Sequence, residues 1–283
     1  MKKILITGGN GLVGTYLKKI LNGKDYSVFA FGKEDLNIID IEKSYKIFKD
    51  LSPDIVIHLA AITDVDYCEK NPDITFLINS KGTENISKLS IDFNCFLIYL
   101  STDFIFDGMK NSPYTEKDKP NPINIYGKSK LIGEEYIIKN CEKYLIIRTS
   151  RIFGNGGKNF SSRLREILKE KKEILLTIDL INSPTYALSL TQTILRLIEK
   201  GFYGIINVCN KGWCSFYEFG VKMKEIMKIN TEIKGISFSE FLKIYQQAAP
   251  RPKFSPLSIE LLNSLSIKID SWEFALEKFL KEE

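Results

Sequence analysis

An α/β fold with a doubly wound parallel sheet is predicted for this 283-residue chain by three observations. Short apolar runs alternate with stretches of helical periodicity through the first half. The runs are continuously apolar, as in strands covered on both faces. A glycine triplet at spacing three sits between the first run and the first helical stretch, in KKILITGGNGLVGTYLKKIL.

The elements follow in order. Lys3–Thr7 is a short buried strand. Leu12–Leu21 is a helix, with Leu12, Val13, Tyr16, Leu17, Ile20 and Leu21 on one face. Ser27–Phe31 is the second strand. Ile41–Leu51 is a helix stopped by Ser52 and Pro53. Ile55–Leu59 is the third strand, and Asn71-Pro72 opens a long helical stretch to about Asp92. Phe96–Leu100 is the fourth strand. After a proline-containing loop from Pro113 to Pro122 come a helix near Tyr126–Lys139 and a fifth strand at Tyr144–Arg148. Right-handed crossovers between parallel strands then wind helices onto both faces.

The second half is more mixed. Helices are predicted over Ser161–Glu170 and Tyr186–Glu199, and strands over Ile174–Ile178 and Ile205–Val208. A further helix is capped by Ser215 and a last one by Asp270 or Ser271; residues Ala248–Pro256 form a loop. The expected division is a Rossmann-type dinucleotide-binding domain over 1–160 and a small mixed α/β C-terminal substrate lobe over 161–283, interleaved with it.

Composition narrows the function classes. Hydrophobic residues at 44% and charged residues at 27% are enough for a real core. The net charge of +5 suits an anionic small ligand, and no dense basic run with interleaved aromatics points to nucleic acid. No apolar run approaches the roughly 20 residues needed to span a membrane. The N-terminus runs directly into a strand, without a signal peptide. Cys68, Cys95, Cys141, Cys209 and Cys214 show no metal-ligand spacing, and their odd number in a large chain argues against a disulfide framework. A cytoplasmic protein fits. With His58 as the single histidine, a His-based triad or His-rich metal site is nearly excluded.

Gly8, Gly11 and Gly14 lie between strand and helix. The first permits the tight turn, the second lets a pyrophosphate approach the backbone, and the third lets helix and strand pack closely. Free N–H groups at the helix start then face the phosphates. This predicts a dinucleotide site. At the adenosine end, Glu34 or Asp35 can hold ribose hydroxyls, which favours NAD(H). Lys33 can instead meet a 2′-phosphate, which favours NADP(H). NADP or dual use is the reading taken.

Tyr126-x-x-x-Lys130 places a phenol and an ammonium on one helix face. The lysine is expected to lower the phenol pKa and to reach the nicotinamide ribose, so that the tyrosine donates a proton to a carbonyl oxygen. The same spacing at Tyr45 and Lys49 lies on the helix before strand three and reads as surface. Tyr126 follows strand four, which ends Ser101-Thr102-Asp103, where the crevice of a parallel sheet opens. A Thr102 or Ser101 hydroxyl there can hold a substrate carbonyl, or can simply satisfy a strand-end turn.

Together these elements resemble the extended short-chain dehydrogenase/reductase superfamily over essentially the whole chain, and within it the dTDP-4-dehydrorhamnose reductase family. The stretches that carry the resemblance are GGNGLVG, PDIVIHLAAITDVDYCE, STDFIFDG, YTEKDKPNPINIYGKSKLIGE, RTSRIFGNGGKNF, NSPTYA at Asn182–Ala187 and APRPKFSPL at Ala249–Leu257. The resemblance implies that Gly8, Asn10, Gly11, Leu12 and Val13 wrap the pyrophosphate, that Asn37 and Ile38 sit by the adenine, and that Ala60, Ala61 and Thr63 line the cofactor near its ribose. It makes Thr102, Tyr126 and Lys130 the catalytic trio. It sets Phe153, Asn159, Phe160 and Arg251 toward the sugar or nucleotide, beside Ser101 and Asp103.

There are departures. Thr15 stands where some of these reductases carry a glutamate used in a metal-linked dimer, so no metal is carried over. His58 replaces a usual asparagine and reads as a satisfied core residue. Arg151 replaces an aromatic, which bears on the sugar. The implied activity is NAD(P)H-dependent reduction of the 4-keto group of a nucleotide-linked 6-deoxy sugar, giving dTDP-L-rhamnose or a close relative. The alternatives are a nucleotide-sugar epimerase of the same superfamily and a non-catalytic NADP-binding subunit like the beta subunit of methionine adenosyltransferase. The partner is a small nucleotide sugar, with no nucleic acid and no membrane, and a homodimer stays open.

Overall fold

The computed structural model describes residues 1–156, 159–245 and 249–282. Ala248, which opens the loop expected at Ala248–Pro256, and Gly157 and Lys158, inside the stretch RTSRIFGNGGKNF, lie outside the described residues.

The chain begins as β1 (Lys2–Thr7), α1 (Leu12–Leu21), β2 (Tyr26–Phe31), α2 (Ile41–Leu51) and β3 (Ile55–His58). A short α3 (Val65–Lys70) comes next, which the sequence reading passed over. Asp64 caps it by accepting from the Tyr67 amide. The long helix after Pro72 is real but is not a uniform α-helix. It runs as α4 (Pro72–Phe76), a π-helical turn at Leu77–Lys81, and α5 (Gly82–Asp92). Such π turns insert one extra residue and re-aim the side chains around them. β4 (Phe96–Thr102), α6 (Ile125–Asn140) and β5 (Tyr144–Thr149) complete the first half.

The second half contributes β6 (Ile152–Phe153), α7 (Phe160–Glu170), β7 (Glu173–Thr177), β8 (Ile181–Asn182), β9 (Thr185–Tyr186), α8 (Ala187–Glu199) and β10 (Gly204–Asn207). Then come β11 (Cys214–Ser215), α9 (Phe216–Met227), β12 (Glu232–Ile236), α10 (Phe238–Ile244), α11 (Glu260–Ser264) and α12 (Trp272–Lys281). Ser215 starts α9 with a full capping box to Glu218, and of the two cap candidates before α12 it is Ser271 that accepts from the helix.

The main sheet has six parallel strands in the order β10-β5-β4-β3-β1-β2. The order reverses between β1 and β3, and that switch point is where a ligand crevice opens beyond the strand ends. One face packs Leu17 and Leu21 of α1 and Leu190, Ile194 and Leu197 of α8 against Ile4, Ile6, Ile98 and Ile147. The other face packs Phe48 of α2, Ile86 and Leu89 of α5 and Ile137 of α6 against Leu5, Val56, Leu97 and Ile146. The strands are therefore buried on both sides, the physical reason for their unbroken apolar character.

The interleaving is concrete. β10 and α8, both beyond residue 160, belong to the main sheet and its covering layer. A second core forms around Phe153, Leu164, Tyr186, Phe219, Trp272 and Phe279. It lies under the short parallel pair β7–β12 and the helices α7, α9 and α12. Among the described residues no helix is long and apolar enough to cross a membrane.

Candidate active site

A cavity of about 1120 Å³ opens at the switch point. It lies just above the roughly 300–1,000 Å³ of a typical small-molecule pocket. Its walls come from the turn after β1, the end of β2, the segment after β3, the end of β4, the first turns of α6 and the start of the second lobe.

At the glycine turn the chain approaches itself as closely as backbone allows. Gly8 has φ +67°, and a Cβ there would sit 2.8 Å from the Ala60 nitrogen. A Cβ on Gly14 would sit 2.7 Å from Gly9 Cα, so only glycine lets α1 enter this close to the turn. Gly11 is the N-cap of α1 and offers no side chain to its first amides. A helix start left bare in this way, at the mouth of a cavity, favours an anion. Asn10, Gly11, Leu12, Val13 and Gly14 all line the cavity there.

At the end of β2 the cavity wall includes Lys33, Asn37 and Ile38 but neither Glu34 nor Asp35. Asp35 turns back to accept from the Gly32 amide at 3.0 Å. Asp35 is thus engaged locally, Glu34 does not line the cavity, and the charged side chain in the lining at this end is a lysine. After β3, Ala60, Ala61 and Thr63 line the cavity. The Thr7 hydroxyl accepts from the Leu59 and Ala60 amides, both at 3.2 Å. The buried Asn79 of the π turn brackets Ile62, accepting from its amide at 2.8 Å and donating to its carbonyl at 2.9 Å.

At the end of β4, Ser101, Thr102 and Asp103 are buried and line the same cavity. The Thr102 hydroxyl accepts from the Phe104 amide at 3.2 Å, so it also serves the strand-end turn. The same hydroxyl donates to Asp103 Oδ1 at 3.3 Å and lines the cavity with Tyr126. Ser101 Oγ is buried without a hydrogen-bond partner among the described residues, which is costly unless a ligand supplies one. Asp103 is pushed up to about 6, chiefly by burial and partly offset by the Ser255 hydroxyl.

Tyr126 and Lys130 sit one turn apart at the start of α6. Asn124 caps that helix, accepting from the Gly127 amide at 2.8 Å. The ring of Tyr126 meets Phe104 edge-on at 5.8 Å. Burial raises the phenol above its ordinary value and the Thr102 hydroxyl partly offsets this. Burial likewise drives Lys130 down to about 7, with Glu134 opposing. Lys130 Nζ lies 4.0 Å from the centre of the Tyr99 ring. The expectation that Lys130 lowers the phenol is therefore corrected: burial dominates both groups, and it disfavours the charge of each. Tyr45, in the competing Tyr-x-x-x-Lys pair, is exposed on α2.

On the second-lobe side, Asn159 and Phe160 line the cavity. Asn159 uses its amide locally, accepting from the Ser162 amide at 3.0 Å and donating to the Gly154 carbonyl at 2.9 Å. Phe153 does not face the cavity. Successive residues of a strand point to opposite sides; Ile152 takes the cavity side and Phe153 stacks on Tyr186 at 5.3 Å in the second core. Arg251 also stands outside the lining, in an ion pair with Asp66 at 3.0 Å that ties the 249–256 segment to α3. Arg151 does line the cavity, in a left-handed conformation at φ +36°. Its guanidinium turns toward Asn182 and donates to the Cys214 carbonyl at 2.5 Å. Tyr67, Ile74 and Ile78 add an apolar wall that the sequence reading did not assign. The cap at Asp64 signals the helix of Tyr67, and Pro72 opens the stretch that carries Ile74 and Ile78. Among the described residues no group of three or more metal-ligating side chains comes together.

A parallel sheet with a bare-backbone cradle at its switch point, facing a buried tyrosine and lysine one helical turn apart, defines a dinucleotide-binding protein of the extended short-chain dehydrogenase/reductase class. Residues 1–283 match the family described as RmlD substrate binding domain. The chain belongs to this family, that of the dTDP-4-dehydrorhamnose reductases. It is 36% identical over 282 residues to the spore coat polysaccharide biosynthesis protein SpsK of Bacillus subtilis, covering 100% of this chain and 98% of that one. It is 28% identical to dTDP-4-dehydrorhamnose reductase of Aggregatibacter actinomycetemcomitans, over 98% of each chain. Among solved structures, dTDP-4-dehydrorhamnose reductase of Bacillus anthracis in complex with NADP superimposes with a TM-score of 0.96 at 37% identity, covering both chains fully.

Proposed function

We propose that this protein is an NADP(H)-dependent reductase of a nucleotide-linked 4-keto-6-deoxy sugar, converting dTDP-4-dehydro-L-rhamnose to dTDP-L-rhamnose. The observation that carries the reading is that Thr102, Tyr126 and Lys130 share one cavity with the glycine cradle. The names of the relatives agree with it.

The cradle fits a dinucleotide, because side chains at Gly8 and Gly14 would fill the space its backbone leaves. Gly8, Asn10, Gly11, Leu12 and Val13 would hold the pyrophosphate, Lys33 a 2′-phosphate, Asn37 and Ile38 the adenine, and Ala60, Ala61 and Thr63 the ribose side. When bound, the nicotinamide supplies the hydride that adds to the keto carbon. Thr102 orients the carbonyl oxygen. Tyr126 gives its proton to that oxygen, so the ketone becomes a hydroxyl and the phenol a phenolate. Lys130, one turn on, would hold the nicotinamide ribose. Burial keeps water from competing for the proton. Ser101 and Asp103 take the sugar side, with Phe160 forming its apolar wall.

The protein works in the cytoplasm in this reading, and a homodimer is part of it, to be checked by light scattering. The test of function is NADPH oxidation with dTDP-4-dehydro-L-rhamnose. Stoichiometric oxidation supports the reductase. Sugar interconversion without net oxidation would mean an epimerase, and silence over a panel of 4-keto sugars a binding subunit.

A further inference from the structure

The Thr7, His58 and Tyr99 positions lie side by side, at the ends of β1 and β3 and in the middle of β4. All three side chains are buried. His58 Nδ1 is 2.7 Å from Thr7 Oγ1, and Nε2 is 3.0 Å from Thr83 Oγ1 on α5. Each hydroxyl has one proton to give, and the other contacts of each decide where it goes.

Thr7 Oγ1 already accepts from the Ala60 amide and from the Leu59 amide, which also reaches the Thr7 carbonyl at 3.3 Å. Its lone pairs are occupied, so its proton points at His58 Nδ1, which must be an acceptor. At the opposite end, Thr83 Oγ1 donates to the Asn79 carbonyl at 2.6 Å. Its proton is thus committed, and it must accept from His58 Nε2. The two ends independently require the same state of the ring. An imidazolium would face Thr7 with a proton against a hydroxyl that has no acceptor left.

The chain of hydrogen bonds therefore runs one way, from the Leu59 and Ala60 amides through Thr7, His58 and Thr83 to the Asn79 carbonyl. Asn79 in turn brackets Ile62 and donates to Ser129 Oγ at 3.0 Å, which donates to the Tyr126 carbonyl at 2.8 Å. The hydroxyl that holds the Leu59 and Ala60 amides and the π turn whose Asn79 holds Ile62 are thus joined by one imidazole.

We propose that His58 is a positioning residue, held neutral as the Nε2–H tautomer, that aims the Thr7 and Thr83 hydroxyls and so fixes the wall against which the dinucleotide lies. Burial, with the charge of Lys130 adding to it, pushes the His58 pKa down to about 3, in keeping with a neutral ring. The consequence for cofactor affinity rests on the proposed function above; the tautomer does not.

Because His58 is the only histidine, the test is free of assignment. Long-range proton–nitrogen correlation on the 15N-labelled full chain at neutral pH should show one imidazole, with an unprotonated Nδ1 and a protonated Nε2. The Nδ1–H tautomer or an imidazolium overturns the proposal, whatever the enzyme does. Affinity is read with NADPH by fluorescence. His58→Leu should weaken it about tenfold, the loss expected when buried hydroxyls are left unpaired. His58→Asn, whose amide oxygen reaches the place of Nδ1, should recover most of it. Affinity equal to the parent in the Leu variant, or no recovery in Asn relative to Leu, would refute the positioning role. If neither variant folds, the spectrum of the parent protein still decides the tautomer.

Discussion

The Ser255 hydroxyl donates to Asp103 Oδ2 at 2.6 Å, inside the protein and across 152 residues of chain. This bond joins the proline-containing 249–257 segment to the residue that follows Thr102. It also places an ionisable carboxyl at the floor of the cavity, beside Tyr126.

Asp103 makes stability depend on pH. Its folded pKa is raised from 3.8 to about 6, mainly by burial. The stability contribution is therefore present below about pH 4 and lost as pH rises through about 6. Asp103→Asn should be more stable than the parent at pH 7, by up to about 3 kcal/mol on the conversion of a shift into free energy, and no more stable at pH 4. Urea denaturation at the two pH values measures this. An advantage of equal size at both would mean that the charge of Asp103 is not the cause.

Lys130 carries the opposite sign. Its pKa falls from 10.5 to about 7 because its ammonium is buried. The folded state binds fewer protons than the unfolded state between these values, so stability rises with pH across the window. Lys130→Met removes the buried charge. It should raise the melting temperature at pH 6, the gain should fade toward pH 10, and turnover should collapse. A site that costs stability while serving chemistry is expected where function sets the residue.

Tyr126→Phe tests the proton donor by itself. The ring stays to pack against Phe104, so folding and NADPH affinity should hold while kcat drops by a factor of roughly 10²–10⁴, the range for losing a general acid. Steady-state kinetics with a separate binding titration makes the split visible. Turnover within a few-fold of the parent would remove Tyr126 from the mechanism.

Lys33 is the charged side chain lining the adenosine end of the cavity. Lys33→Glu should shift the ratio of NADPH to NADH use toward NADH by about tenfold, through loss of attraction to a 2′-phosphate and new repulsion. The change should appear in KM for NADPH rather than in kcat. An unchanged ratio would return the cofactor choice to Glu34 or Asp35.

The parts of this fold written plainly in the sequence are those with local causes. β1, β3, β4 and β5 are unbroken apolar runs because both of their faces are covered, and Gly8, Gly11 and Gly14 stand where the backbone has no room. What escaped was decided at a distance or within very few residues. β6, β8, β9 and β11 have two residues each, too few for a period to show. β10 reads as a strand, but nothing local says that it pairs with β5 in the main sheet. The partners of His58 come from 51 and 25 residues away, so its role depends on register. The resemblance sets Arg251 toward the sugar or nucleotide, and nothing in the sequence reveals Asp66 as its partner.

Phe153 shows how a single strand step separates site from core. Ile152 and Phe153 are both apolar, and the sequence does not say which of them faces the cavity. The structure places Phe153 among Tyr186, Phe219 and Phe279, with no exposed surface. Phe153→Ala should therefore act as a core truncation, costing about 3–5 kcal/mol and lowering the urea midpoint. Ile152→Ala, on the cavity side, should cost less stability and change KM for the sugar nucleotide instead. Measuring midpoint and KM on both variants separates the two faces. A large KM effect from Phe153→Ala at unchanged stability would turn the strand over and put its ring back against the sugar.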